Sequence, residues 1–485
     1  MNCKRMALTA ALLLALPLVA SAAVPYTSYT YDSYGNAVTT SHIYEPASVL
    51  SGQDMKAGQL TEPRDMSLSP SGELYILDSG NGRVIVLDRQ LRLNRIVDTF
   101  TSNGETTELD KPTGLFVDGN GNLYIAAPGN QRVLCTDGEG RVLADIRKPE
   151  SEYFSEYVEF LPQKLVRDRA GNLYVQCTGI YQGLVIFDAQ YAFQGFFASE
   201  KVVTTAETIR DYFWKQMMTE EQKEIMAGYV PQEIYNMDIT SEDFIYTVST
   251  AQLVPGDTVK MEMDSLCCLN PKGGDTIIRK MPDTAYNALE MDARQLNFVD
   301  VCYDENGFLN VLDDRKGKIY QFDQNMQLVC AFGALGEYAG TFSKPVAIET
   351  MNDCILVLDQ DKGSLTVFRT TRIGANVHEA LKLYYAGDYK AAVEPWKQVI
   401  AENANYELAY IGIGSALYNQ QQYDEALTYF QLGRDSARYS EAFKEYRVAL
   451  MRKNIVWIVA AVVAIVLVPP VIRRIWRKRK ADGVK

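Results

Sequence analysis

Only two histidines, His42 and His378, occur in 485 residues. A histidine-based nucleophilic triad needs an imidazole beside a hydroxyl or thiol, and a histidine metal centre needs several imidazoles together. The chain also lacks a P-loop and a dinucleotide fingerprint leading into a helix. Any chemistry therefore falls to carboxylates, amides and lysines. A recurring tyrosine (Tyr75, Tyr124, Tyr174) sets a register of 49 and 50 residues. Aligned on it, Asp65, Gly114, Lys164, Asn236, Asp300 and Val346 take equivalent places early in six successive units. Asp65, Asn236 and Asp300 offer the oxygen ligands a hard divalent cation accepts. Lys164 stands in the same set and brings a cation of its own, so a salt-bridged cluster is the preferred reading. Asp65, Lys164, Asn236 and Asp300 are the candidate ligand-binding residues, with no catalytic residue, metal or cofactor assigned.

The elements that must hold those residues are short strands. Around the first unit the chain reads Pro63-Arg64-Asp65-Met66-Ser67-Leu68, a Ser-Pro-Ser-Gly turn, Glu73-Leu74-Tyr75-Ile76-Leu77-Asp78, and then Gly80-Asn81-Gly82-Arg83-Val84-Ile85-Val86. The pattern returns from Pro112 with Gly119-Asn120-Gly121-Asn122 and Leu123-Tyr124-Ile125, and again from Pro162 with Gly171-Asn172-Leu173-Tyr174-Val175. Looser copies follow at Asp243 to Tyr246, at Asp304 to Val311 and at Pro345 to Phe368. β-Branched and aromatic runs separated by Asp/Asn/Gly turns predict antiparallel hairpins. The Asp-Gly-Asn turns lack the ligand spacing of a calcium loop and read as hairpin turns. A lone four-stranded unit leaves both faces bare, so a period near 50 predicts blades packed in a ring. The expected fold is mainly β: a six-bladed β-propeller over 45–372, with its first aligned positions facing the central channel.

Asp78 to Val84 and its copies resemble the NHL-repeat propellers in the aromatic strand ending in Asp, followed by Gly-Asn-x-Arg-Val. The second unit has Ala127 where Asp is expected. Sugar-lactonase propellers resemble the same fold. That resemblance implies an alternative function, a hydrolase using a divalent cation held in the channel by acidic and amide side chains. Glu62-Pro63-Arg64-Asp65 departs from the Glu-Gly-Pro signature of those enzymes. Residues 23–44, near Tyr29-Thr30-Tyr31-Asp32, are expected to supply the outermost strand of the sixth blade and close the ring, the rival being a loose arm. Between the third and fourth units, 204–228 reads as a helical insertion with Tyr212, Phe213 and Trp214 in a row. It is either packing or a ledge for a partner.

From Val377 the period changes to helical. Tyr389 and Tyr423, Ala392 and Ala426, Trp396 and Phe430, and Ala380 and Gly414 are all 34 residues apart. Over 375–452 this resembles two tetratricopeptide repeats, with a kink expected at Pro395. The resemblance implies either a peptide-binding groove or a spacer. In a groove, Lys382, Tyr385, Tyr410 and Tyr418 would face the partner.

The ends carry addresses. Lys4 and Arg5, an apolar run to Val19 and Ala20-Ser21-Ala22 read as a cleaved signal peptide over 1–22. Residues 455–472 form an uncharged apolar run, and Arg473-Arg474-Ile475-Trp476-Arg477-Lys478 opens a basic tail over 473–485. A span with the basic cluster on its cytoplasmic side places the bulk of the chain outside the cytoplasm. The formal charge of −13 therefore conceals basic ends around a strongly acidic body, which argues against nucleic acid. Seven cysteines after residue 22, without CxxC spacing, read mostly as small buried hydrophobes. The combined expectation is a single-pass bacterial envelope protein that binds a protein or small ligand as a scaffold or sensor.

Overall fold

The computed structural model describes residues 24–32, 36–102, 104–151, 154, 158–180, 182–198, 234–249, 266–277 and 296–482. The expected signal peptide, the insertion at 204–228 with Tyr212, Phe213 and Trp214, and the last three residues lie outside them.

The chain opens with β1 (Ser28–Tyr31), β2 (Ala37–Thr40) and β3 (Tyr44–Ser51). Blade 1 follows as β4 (Pro63–Leu68), β5 (Leu74–Asp78), β6 (Arg83–Leu87) and β7 (Leu93–Val97). A small hairpin, β8 (Phe100–Ser102) and β9 (Glu105–Thr107), leads to blade 2: β10 (Gly114–Val117), β11 (Leu123–Ala127), β12 (Arg132–Thr136) and β13 (Val142–Arg147). Blade 3 is β14 (Pro162–Arg167), β15 (Leu173–Cys177), β16 (Leu184–Phe187) and β17 (Phe193–Phe197). The described strands of blade 4 are β18 (Ile234–Ile239), β19 (Ile245–Ser249) and β20 (Leu266–Leu269). Blade 5 is β21 (Phe298–Tyr303), β22 (Leu309–Asp313), β23 (Lys318–Phe322) and β24 (Leu328–Phe332). Blade 6 contributes β25 (Pro345–Met351), β26 (Cys354–Asp359) and β27 (Ser364–Thr370). Every pairing within a blade is antiparallel. The innermost strands, β4, β10, β14, β18, β21 and β25, each touch the next, and the last touches the first. The fold is a closed six-bladed propeller.

Six apolar cores, one at each junction between blades, hold the ring together. Leu77 and Val84 of blade 1 meet Leu115 and Ile125 of blade 2, for example, and Leu358 and Leu365 of blade 6 meet Ile76 and Ile85 of blade 1. This explains the sequence pattern from the inside out. The second strands of blades 1, 2, 3 and 5, such as Leu-Tyr-Ile-Leu-Asp in β5, are buried at every position because both faces are covered. The outer β13 alternates half-buried and exposed residues over its first four positions. The aspartate that ends a second strand ties down the loop entering its own blade. Asp78 Oδ1 accepts from Thr61 N at 2.7 Å, and Oδ2 accepts from Arg83 Nε at 2.7 Å. Where blade 2 has Ala127, Asn130 Oδ1 takes over and accepts from Asp110 N at 2.7 Å. The Asp-Gly-Asn turns are side-chain-capped hairpin turns: Asp118 Oδ1 accepts from the Asn120 and Asn122 amides, both at 2.9 Å.

The N-terminal segment closes the ring differently from the expectation for 23–44. The outer strand of blade 6 is β3, paired with β27 from Ser51↔Ser364 to Tyr44↔Thr370. Residues 28–40 instead form a β1–β2 hairpin that extends blade 5, where Tyr29 sits opposite Ala331 of β24. The physical reason is side-chain fit. Tyr29 and Tyr31 pack on the core shared by blades 4 and 5, whereas Tyr44 stacks on Phe332 at the junction of blades 5 and 6 (4.9 Å). Pro46 is tolerated in β3 because an outermost strand has a free edge.

After β27, Thr371 caps α1 (Arg372–Tyr385) by accepting from Gly374 N at 3.2 Å. Three further helices follow: α2 (Tyr389–Glu402), α3 (Glu407–Asn419) and α4 (Tyr423–Leu432). The last, α5, runs unbroken from Ser436 to Asp482. Consecutive helices of this set pack on one another. Pro395 lies within a continuous α2, and its neighbour Trp396 is fully buried. Gly414 is required for close approach, since a Cβ there would lie 2.7 Å from the Phe430 ring. Val377, Leu381, Trp396 and Tyr406 share one core with Phe332, Phe342 and Phe368, so the helices are fused to blades 5 and 6. Five of the seven described cysteines are buried.

Candidate functional site

The innermost strand of a blade has no fifth strand beyond it, so its channel-side N–H groups need other acceptors. Side chains of the neighbouring blades supply them. Asp65 Oδ2 accepts from Leu115 N of blade 2 at 2.7 Å, and Ser67 Oγ accepts from Val117 N at 3.2 Å. Asp300 Oδ2 accepts from Ile348 N of blade 6 at 2.7 Å, and Asp238 Oδ2 accepts from Tyr303 N of blade 5 at 2.7 Å. Glu349 Oε1 completes the circuit from blade 6 back to Leu68 N of blade 1 at 3.0 Å. The channel acids are thus first of all ties between blades.

Strand pairing fixes the upper level of the channel. Asp65, Lys164, Asn236 and Asp300 sit opposite Leu77, Gln176, Val248 and Leu312 of their second strands. In blade 6 the equivalent residue is Ala347, opposite Leu358, and not Val346. A bulge between Pro345 and Ala347 displaces Val346, as bulges displace Arg64 and Gln163 in blades 1 and 3. The four candidate residues do come together. Lys164 Nζ lies 2.7 Å from Asp65 Oδ1, which joins blade 3 to blade 1 past blade 2. Gly114 makes that reach feasible: a Cβ there would lie 2.3 Å from Gln163 O and 3.0 Å from Lys164 Cα. Asn236 Nδ2 donates to Asp300 Oδ1, which also accepts from Val301 N at 2.9 Å. All four residues are buried.

The electrostatics follow from this burial. Desolvation pushes the Asp300 carboxyl up to about 8, with Lys164 opposing and Asp65 adding to the shift. Desolvation also raises Asp65, against the pull of Lys164. Two residues further along the same strands lies a lower level that the sequence reading missed, containing Asp238, Cys302 and Glu349. Burial pushes Asp238 up to about 6 and Glu349 well above the usual carboxylate range, with Asp238 and Asp300 adding to the latter. Cys302 Sγ lies 3.6 Å from Glu349 Oε2. The period-2 rule applied to the first level would have found this second one.

A channel divalent cation, as the lactonase-like reading implies, does not fit this set. The position beside Asp65 already holds the Lys164 ammonium, and among the described residues no three His, Cys, Asp or Glu side chains converge as a metal cluster would require.

The residues expected in the helical groove are dispersed. Tyr385 OH donates to Asp323 Oδ2 of blade 5 at 2.8 Å, so it faces the propeller. Lys382 is half-buried on α1, close enough to Asp304 and His378 to shift both. Tyr410 OH donates to Ala404 O at 3.0 Å, and Tyr418 OH reaches Glu441 of α5 at 3.4 Å. His378 serves the junction between propeller and helices. Its Nε2 pairs with Gln321 Oε1 at 2.9 Å, Gln321 Nε2 donates to Tyr44 OH at 2.8 Å, and burial pulls the imidazole down to about 4.

No described protein family matches the sequence, and no curated protein does. Among solved structures the chain is similar to virginiamycin B lyase from Staphylococcus aureus, with a TM-score of 0.39 and 10% identity over 68% of this chain and 100% of that one. It is also similar to the extracellular domain of a protein described as a one component system from B. thetaiotaomicron (TM-score 0.34, 11% identity, 64% of this chain and 33% of that one). A protein of unknown function from Bacteroides caccae gives a TM-score of 0.36 at 9% identity, over 67% of this chain and 98% of that one. Likenesses at this level carry no functional argument.

Proposed function

We propose that this chain is a membrane-anchored, extracytoplasmic binding protein, a scaffold or sensor that takes a protein or small ligand. In this reading 1–22 is an export signal, the propeller is of NHL type, 375–452 is a tetratricopeptide-like module and 473–485 is a cytoplasmic tail. The observation that carries the reading is α5. It leaves a module rigidly packed on the propeller and continues as an apolar helix with a mean hydropathy of 2.9 in its most apolar window, none of which is buried. So large an exposed apolar surface calls for a bilayer. In the channel's upper level Lys164 is paired with Asp65 and Asn236 with Asp300, which favours partners on the propeller face and helices over a ligand in the channel.

Crosslinking in native membranes, followed by mass spectrometry of captured chains, tests the proposal. Trp214→Ala and Tyr410→Ala are expected to reduce capture of the same partner at least severalfold while leaving the melting temperature close to that of the parent. Undiminished capture by both variants, or unfolding of both, would overturn the assignment of those surfaces.

A further inference from the structure

Blades 1 and 5 differ at one pair of facing residues. The aspartate that ends the second strand stands opposite the residue that opens the third: Asp78 faces Arg83 in blade 1, and Asp313 faces Lys318 in blade 5. In blade 1 the two meet, with Arg83 Nε 2.7 Å from Asp78 Oδ2. In blade 5 they do not. Asp313 is fully buried; its Oδ1 accepts from Asn297 N at 3.1 Å and Arg315 N at 3.0 Å, but its Oδ2 has no hydrogen-bond partner among the described residues. Lys318 turns instead toward the N-terminal hairpin. Its Nζ donates to Thr27 O at 3.3 Å and lies 5.4 Å from the centre of the Tyr29 ring. Both of these partners are neutral, and desolvation pulls the lysine down to about 8, with Lys316 adding to the shift. Burial pushes Asp313 up to about 6. Among the described residues, then, a half-buried ammonium without a counter-ion stands across one strand pair from a buried carboxyl without a cation.

The hairpin holds them apart, and its polar grip on blade 5 is slight. Tyr29 pairs with Ala331, Thr30 Oγ1 donates to Leu328 O at 3.2 Å, and Tyr29 OH reaches Tyr320 OH at 3.5 Å. The base of the hairpin is pinned independently. Buried Tyr26 donates to Tyr44 O at 3.1 Å, and Ser28 Oγ lies 2.8 Å from His42 Nδ1. β1 and β2 can therefore leave β24 without the chain letting go of the ring. We propose that Lys318 is a two-position latch and the β1–β2 hairpin a strap: with the strap down the ammonium holds Thr27 and Tyr29, and with it lifted the ammonium crosses to Asp313 Oδ2, as Arg83 does to Asp78 in blade 1. Facing residues on paired strands are within side-chain reach, and blade 1 shows that this pair of positions closes an ion pair. The crossing supplies the lifted state with a charge-assisted contact that the docked state lacks. That contact offsets part of what is lost at Tyr29 and Thr30, so the lifted state stands closer in free energy to the docked one. The inference does not depend on the membrane reading.

Hydrogen exchange of the full chain in detergent, read by mass spectrometry at neutral pH, tests the latch. Exchange at β1 and β2 reports lifting of the strap, and exchange at β22 and β23 reports opening of the blade itself. Asp313→Asn keeps the Oδ1 acceptor and removes the charge that only the lifted state uses. Exchange at β1 and β2 should then slow about fivefold, the order expected for one charge-assisted contact, with β22 and β23 as protected as in the parent. In a Lys318→Met background the same Asp313→Asn change should leave exchange at β1 and β2 unaltered. Unchanged or faster exchange of the hairpin in Asp313→Asn, with blade 5 intact, would overturn the proposal. So would a slowing that persists in Lys318→Met. If Asp313→Asn loosens blade 5 as a whole, Tyr29→Leu decides instead, because it weakens only the docked state and should speed exchange at β1 and β2. Adding Lys318→Met to Tyr29→Leu should slow that exchange again, since the lysine then serves mainly the lifted state. If it speeds exchange further, Lys318 holds the strap down and nothing more, and the latch is wrong.

Discussion

Asp300 has an unusual position for a carboxyl group: both oxygens accept hydrogen bonds, it is buried, and its affinity for a proton extends to about pH 8. A group whose pKa is higher in the folded chain than in the unfolded one stabilises the fold below the unfolded value, and that contribution is lost as pH rises through the folded value. Asp300 and Glu349 both belong to this class. His378 is pulled down to about 4, so it weakens the fold only below the ordinary imidazole range. Between pH 6.5 and 8 the carboxyls therefore act without it. Stability is expected to fall as pH rises across that window, and Asp300→Asn should flatten the slope; denaturant titrations at half-unit intervals decide the matter. A steeper slope in the variant would reverse the assignment. Packing residues give larger effects. Tyr124 is buried in blade 2 beneath the Arg167 guanidinium, 5.2 Å from its ring centre. Tyr124→Ala should cost about 3–5 kcal/mol in chemical denaturation. The cluster of Asp65, Lys164, Asn236 and Asp300 was legible in the sequence because the tyrosine register is strict in the first three blades. Ala347 was not, because a bulge of one residue precedes it and nothing in Pro345-Val346-Ala347 marks the bulge. Nor did the sequence reveal that the acids would be engaged by backbone amides of neighbouring blades, since that depends on the ring being closed.

At the scale of elements, strand alternation and turn chemistry made six blades readable, and a period of 34 made two helical hairpins readable. The N-terminal strands were harder. Tyr29-Thr30-Tyr31 has stronger β character than Tyr44-Glu45-Pro46-Ala47-Ser48, yet the weaker segment closes the ring. Position on an outer edge relaxes the need for propensity, and Tyr44 provides the anchor by stacking on Phe332. Two truncations separate the roles. Removal of 24–40 takes the hairpin from blade 5, and a cooperative but lowered melting transition is expected. Removal of 24–51 also takes the outer strand of blade 6 and should abolish cooperative melting, because β27 is left as an open edge. Equal melting of the two truncations would return the closing role to residues 24–40. The docking of the helices was likewise hidden. Tyr385 and Tyr406 look like ordinary repeat residues, but the first is bound to Asp323 and the second donates to Val329 O at 2.9 Å.

On the scale of the whole molecule, the helices behave as a bracket between the propeller and the apolar part of α5 rather than as a freely hinged stalk. α5 has 47 residues, about 70 Å at 1.5 Å per residue. Its first turns are locked by the Asp435–Arg438 pair at 2.7 Å and by Ala442, which is fully buried. The apolar stretch that follows has cationic residues at both ends, Arg452 and Lys453 before it and Arg473, Arg474 and Arg477 after it. Cationic charge alone on one side would set the orientation simply; under the membrane reading proposed above, the larger cluster prevails, with the tail in the cytoplasm and the acidic propeller outside. This orientation can be checked without knowing any partner. Proteinase K added to intact protoplasts should destroy an epitope placed before residue 455 and spare one fused after Lys485, until detergent exposes both. Charge reversal gives the sharper result. Replacing Arg473, Arg474, Arg477, Lys478, Arg479 and Lys480 with glutamate leaves Arg452 and Lys453 as the dominant cations beside the span, so a fraction of chains should fail to export the propeller and show the opposite protection. If the reversed-charge chain keeps the parental pattern, the export signal rather than the tail sets the topology. If the parental propeller is itself protected, the extracytoplasmic placement is wrong.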